Sequence, residues 1–398
     1  MTTTARRERL PELDLYRAFA ILGVIHVHAS SFAAAGQASA SPYYYLVNLM
    51  NIFFKYGTPC FIFLSSFVLF YNYFGTPVNR SLLSRFYKKR LLYIIAPYVA
   101  ASLCYYTLVQ AFYVTDHPPL ASILQTFGLK LATGTAYTHL YFVFINLQFY
   151  VLFPLVLWLF QRFRRLVAWA VPIGLAIEWG FVLWNKYVLV LPNKGSYAPT
   201  YMSYYLLGLF LAVHFDKLRP WLTTGFRRQS AALRTATLAV WGSWLAAALI
   251  HVQLYHNGRA YGIWVNSTWY EALWNLHTLL SVFVLLQAAF WIYRGASSSV
   301  VGFLSRLGGL SFAIYLLHPV FLLAYRRFRY TIAPDSLTYL IWMYAGVPVC
   351  LFLAWAVAAS TFRWVPGAEY LLGNRPAGRA KPQAGRPAGQ RAGETIGS

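Results

Sequence analysis

Apolar runs of eighteen or more residues recur from Leu15 to Phe362, separated by short polar stretches. Each run is long enough to cross a hydrocarbon core about 30 Å thick. The pattern predicts about ten spans, at roughly 13–35, 43–74, 91–115, 138–161, 166–185, 198–215, 232–254, 270–293, 308–325 and 337–362. The chain therefore reads as an all-α integral membrane protein, a single bundle with both termini on one side. The second run is too long for one straight crossing at about 1.5 Å per residue, and Gly57-Thr58-Pro59 is expected to kink it. Interrupted helices of this kind border cavities, where backbone groups find partners other than lipid. Residues 119–134 are too short and too polar to span, and fit an interfacial helix on the outer side. No internal repeat is evident.

Composition agrees with the pattern: 59% of residues are hydrophobic and 11% charged, against about 25% charged in soluble domains. That excludes an ordinary cytosolic enzyme. The formal charge of +23 is spread over short clusters between apolar runs, so it reports topology before it reports a nucleic-acid partner. If the N-terminus is cytoplasmic, most of the 33 Lys and Arg fall on that side, in 80–90, 162–165, 217–234 and from Arg363 onward among other places. The opposite side receives Lys130, Lys186, Lys194, Arg259 and the cluster Arg326, Arg327 and Arg329, which breaks the positive-inside rule. The bias predicts a multi-pass cell-membrane protein with both termini cytoplasmic. The organisation expected is a cytoplasmic segment over 1–12, a membrane domain over 13–363 and a disordered basic tail over 364–398, the tail resting on anionic lipid.

Arg6, Arg7 and Arg9 ahead of an apolar stretch superficially resemble a secretory signal, but Arg17, His26 and His28 interrupt that stretch. Cys60, Cys104 and Cys350 lie inside apolar runs without a CxxC pair, which points to small core residues rather than a disulfide framework or a zinc site. No metal is expected.

Ionisable groups inside spans are costly, so each requires a partner, a cavity or a task. The first span reads LDLYRAFAILGVIHVHAS and carries Asp14, Arg17, His26 and His28. At about 100° per residue, Arg17 and His28 fall within about 20° of one face, about 16 Å apart along the axis, while His26 points the other way. Asp14 is three residues before Arg17 and can pair with it. The stripe leads from the cytoplasmic surface toward the membrane centre; the same residues also fit a plain helix anchor with histidines bonded to neighbouring helices. For Lys55 and Glu178, buried charges on other spans, structural pairing is the simpler reading. His139, in HLYFVFINLQFYVLFPLV, and His318, in SFAIYLLHPVFLL, stay without a role.

These residues resemble the membrane-bound acyltransferase-3 family, whose hallmark is an Arg, ten residues and a His on the first helix after a Leu-Asp-x-Leu start. Leu13-Asp14-Leu15-Tyr16-Arg17 and His28 reproduce it. GTPCFIFLSSFVL from Gly57, FYKKRLLYIIAPY, HLYFVFINLQFYVLFPL and LSFAIYLLHP are similar to four further family blocks in the same order, covering the chain from Leu13 to Pro319. Ser66 stands where the family usually has glycine, and Tyr93 where an arginine is frequent. The resemblance implies transfer of an acyl group, commonly acetyl from acetyl-CoA or another acyl-CoA donor, to a hydroxyl of a cell-surface or lipid-linked glycan. His28 would be the catalytic residue, as general base or acyl relay, and an imidazole suits either role. Arg17, with Asp14 beside it, would order the surroundings of the histidine or contact the donor. Lys88, Lys89 and Arg90 would meet the phosphate-rich donor from the cytoplasmic side, though for each of them singly positive-inside anchoring is the simpler reading. A glycan or glycolipid transporter without acyl chemistry is the competing reading.

Overall fold

The computed structural model describes residues 8–37, 41–114 and 118–375. Among them are sixteen α-helices joined by short π and 3-10 turns, and no strand. The helices are α1 (Glu12–Phe32), α2 (Tyr44–Phe53), α3 (Gly57–Tyr73), α4 (Arg80–Arg90), α5 (Ala96–Tyr113), α6 (Leu120–Thr133), α7 (Tyr141–Arg162) and α8 (Ala170–Trp184). They continue as α9 (Met202–Val213), α10 (Phe215–Thr223), α11 (Ala231–Tyr261), α12 (Ser267–Gly295), α13 (Ser298–Gly309), α14 (Ser311–Tyr325), α15 (Leu337–Trp364) and α16 (Glu369–Leu372).

Eight helical segments among the described residues are long and apolar enough to cross a membrane, or nine when Ser298–Gly309 and Ser311–Arg329, bent by 75°, are one span. The short apolar helix Ala198–Val213 occupies the remaining expected position. This is a multi-pass all-α membrane protein. Each α7 surface has a separate destination: Phe149, Phe153, Leu157 and Phe160 are buried, whereas Val151, Leu155 and Trp158 face outward, as lipid rather than water demands.

Local chemistry sets the element ends. Asn79, Ser230, Asn266, Ser297 and Ser336 accept backbone N–H groups at the starts of α4, α11, α12, α13 and α15. The expected interruption of the second span is present, but it is the three-residue turn Phe54–Tyr56 between α2 and α3. Pro59 lies in the first turn of α3, where a missing N–H costs no helical bond. The third span begins earlier than its apolar run, because α4 continues through a π turn at Leu91–Ile95 into α5. The segment 119–134 forms α6, with no buried residue, and ends at Gly134 in the left-handed region (φ 71°). The tail expected from 364 departs from a disordered reading as far as Arg375: α16 packs on the Leu91–Ile95 turn and α5, with Tyr370 stacked on Tyr93. Its remainder lies outside the described residues.

α1 occupies the middle of the bundle, touching α2, α3, α12, α13, α14 and α15. Small residues permit the closest crossings. A Cβ on Gly308 would run into the Asp14 carbonyl oxygen, so only glycine lets α13 rest on the start of α1. Ser66, the departure from the family glycine, is matched on α9 by Gly208, whose added Cβ would lie 2.7 Å from the Ser66 side chain. The Ser66 hydroxyl donates to the Tyr205 carbonyl, so the extra polar atom is satisfied.

Candidate active site

Two cavities lie toward opposite ends of α1. The one near the helix start, of about 940 Å³, is lined by Arg9, Arg17, Arg90, Arg306 and Arg375 and reaches inward to Asn146, Phe142 and Tyr315. Asp14 takes Arg17 Nη1 at 2.5 Å and Arg9 Nη2 at 3.0 Å, so one carboxylate orients two guanidinium groups at the mouth. Arg90 lies over the rings of Tyr150 (4.6 Å) and Phe86 (5.3 Å). Lys88 and Lys89 precede it on α4 but are exposed and line neither cavity. Of the three basic residues singled out in the sequence, the fold brings Arg90 alone to the side of Arg17. Tyr93, at the position of the frequent family arginine, lines the same cavity with a phenol instead of a cation.

The second cavity, of about 310 Å³, is lined by His28, Lys55, Tyr141, Tyr201, Glu271 and Trp274, together with the Lys194 loop and the first turn of α3. Lys194 closes an ion pair with Glu271 at 2.5 Å. Its aromatic walls suit a ligand with apolar ring faces. The eleven positions from Arg17 to His28 put about 16 Å of helix rise between them, so Arg17 does not order the His28 surroundings by contact.

His28 Nδ1 is 3.4 Å from His318 Nε2, with the rings tilted at 5.1 Å between centroids. His318 Nδ1 is 3.1 Å from the Ile314 carbonyl, one turn earlier on α14. A carbonyl only accepts, so that nitrogen carries the proton and Nε2 of neutral His318 is an acceptor. His28 must then donate from Nδ1, which leaves its lone pair on Nε2. That nitrogen has no hydrogen-bond partner among the described residues, and the side chain borders the smaller cavity. The tautomer follows from the network. His26 is accounted for differently: its Nδ1 bonds to the Leu22 carbonyl at 2.7 Å and its ring stacks on Phe54 at 4.0 Å.

A path of rings, Tyr315, His318 and His28, leads from the larger cavity to the smaller one. Tyr315 lines the deep end of the larger one and donates to the His139 carbonyl; its ring is 5.9 Å from that of His318. His139 is buried with neither ring nitrogen bonded among the described residues, and its ring lies 5.9 Å from that of His318. On the other flank, Arg326 donates to the carbonyl of His28, approaches Ser31 Oγ at 3.4 Å and covers Phe32. This is the cluster that broke the charge rule, and its first member is built into the His28 environment. Both His318 and His139 stood in the sequence blocks without a role, because helical phase relates residues on one helix and says nothing of which helices meet. Among the described residues no group of three or more His, Cys, Asp or Glu converges as a metal site.

Glu178 is paired structurally, accepting from Ser203 N at 2.9 Å and Asn275 Nδ2 at 2.5 Å, away from both cavities. No curated protein and no solved structure matches the chain. The family model of the acyltransferase domain, however, matches residues 10–359, nearly all of the described bundle, with the Arg17–His28 stripe, the whole lining of the smaller cavity and all of the larger one's but Arg9, Asn374 and Arg375 inside it. The chain thus belongs to the membrane-bound acyltransferase-3 family and is a membrane acyltransferase.

Proposed function

We propose that the protein is a cell-membrane O-acyltransferase that takes acyl-CoA, acetyl-CoA in the simplest case, into the arginine-lined cavity and acylates a glycan or glycolipid hydroxyl held in the smaller one. The observation that carries this reading is His28, which lines the smaller cavity, with its Nε2 unbonded among the described residues and a second imidazole fixing its other nitrogen. With both termini cytoplasmic, as the distribution of Lys and Arg favours, the larger cavity faces the compartment where coenzyme A is found. Five arginines there, two of them braced by Asp14, suit its phosphates.

In this mechanism His28 Nε2 takes the proton of the acceptor hydroxyl as its oxygen attacks the thioester carbonyl carbon. The carbon–sulfur bond breaks, the new C–O ester bond forms, and the proton passes from His28 to the departing thiolate. His318 accepts from Nδ1–H throughout and stabilises the imidazolium that forms in between. Arg17 and Arg90 act by holding the donor, at a distance from the chemistry.

Purified protein incubated with labelled acetyl-CoA and membranes should transfer label to a glycan. His28→Ala should lower the rate by about 10²–10⁴; unchanged transfer refutes the role of His28. Translocation of a glycolipid in proteoliposomes without donor consumption would favour a transporter instead.

A further inference from the structure

Lys55 is a cation inside a membrane span that the proposed chemistry does not use. It stands in the turn between α2 and α3, where its own N–H bonds to the Ile52 carbonyl at 3.2 Å, and its side chain lines the His28 cavity. Its ammonium lies 4.3 Å from the centre of the Tyr255 ring. Among the described residues it has no ion pair and no hydrogen-bond acceptor for its side chain. An ammonium at membrane depth without an anion is costly, and such residues mark a ligand or a pathway.

The surrounding charges do not supply the anion. Glu271 is the cavity wall's only carboxylate among the described residues, and Lys194 holds it at 2.5 Å. Arg259 shares the Tyr255 ring at 4.9 Å and is satisfied by neutral groups, Asn48 Oδ1 and Asn51 Oδ1, each at 3.1 Å. Arg326 adds a further cation on the far flank of His28. Among the described residues the cavity lining therefore sets two ammonium groups, Lys55 and Lys194, against one carboxylate, Glu271, and only Lys194 is paired with it. At about 310 Å³ it is at the small end of ligand sites, so a group bound to Lys55 and a hydroxyl at His28 belong to the same small unit.

The geometry points to an anionic acceptor: the smaller cavity takes a sugar unit whose acylated hydroxyl is accompanied by a carboxylate or phosphate, and Lys55 selects it. The inference rests on the reading of this cavity as the acceptor site.

The test uses the full-length protein in lipid nanodiscs and two readouts. In the first, Lys55 is labelled with a neutral amine-acylating reagent and quantified by mass spectrometry, with methyl glucuronide, glucose 6-phosphate or methyl glucoside as protectant. An anionic sugar should protect Lys55 at a concentration about ten-fold lower than the neutral glucoside. Equal protection by all three, or none, overturns the proposal. In the second, transfer from acetyl-CoA to the same sugars is measured. Lys55→Gln should raise KM for the anionic acceptor about ten-fold with kcat unchanged, leave the glucoside unaffected, and be partly reversed in Lys55→Arg. A penalty that follows a dicarboxylic acyl donor such as succinyl-CoA, and not the acceptor, also overturns it. Protection without transfer from any acyl donor would refute the transferase reading alone, because the labelling needs no turnover.

Discussion

Replacing His318 by phenylalanine isolates the imidazole pair. The site is buried, flanked by the rings of Tyr315 and His139, each at 5.9 Å, so an aromatic ring preserves the packing while Nε2 is lost. A neutral hydrogen bond contributes about 0.5–1.5 kcal/mol net, and this one, at 3.4 Å, is longer than ordinary. Its loss frees the His28 tautomer, which dilutes the reactive form by about two- to thirteen-fold. The same bond becomes charge-assisted once His28 takes the acceptor proton, when it contributes about 1.5–3 kcal/mol. The charge-assisted contribution sets an expected fall in kcat of at least about ten-fold, with KM for both substrates unchanged because His318 lines neither cavity. His318→Gln places an amide oxygen where Nε2 was, and should hold kcat within about three-fold of the parent. Acceptor-dependent release of coenzyme A thiol at saturating substrate measures both variants, with a melting curve for each in detergent. A phenylalanine variant within three-fold of the parent, or a glutamine variant as slow as phenylalanine, refutes the positioning role.

The larger cavity separates basic residues that the sequence groups together. Arg17→Gln and Arg90→Gln should each raise KM for acyl-CoA about ten-fold, whereas Lys88→Gln and Lys89→Gln, whose side chains line neither cavity, should leave it within two-fold. Gly308→Ala should destabilise the bundle by about 1–3 kcal/mol, since the new methyl meets the Asp14 carbonyl; thermal unfolding in detergent measures it, and an unchanged melting temperature contradicts the tight α1–α13 crossing. Glu178→Gln sets an amide against donors from Ser203 or Asn275, which should cost about 1–3 kcal/mol of stability without altering KM for either substrate.

The arrangement of apolar runs determined the membrane architecture, because the bilayer imposes span length and backbone self-satisfaction regardless of how spans meet. The helical period likewise separates His28 from His26, since rotation about one axis is a local property; the structure has His28 on a cavity wall and His26 stacked on Phe54. The ordered blocks pointed to the family because motif spacing survives without coordinates. Where the second span breaks was less legible, since Pro59 is tolerated in a first helical turn and the bend falls just before it. What lay beyond the sequence was every relation between helices. His318 on α14 meets His28 on α1 across 290 positions of chain, Arg326 reaches the same residue from the end of α14, and Lys194 takes Glu271, the one carboxylate among the described residues that line the cavity with Lys55. Such pairings depend on helix order and crossing geometry, which side-chain packing decides. Only the tertiary structure therefore converts a stripe on one helix into two cavities with a layer of imidazole between them.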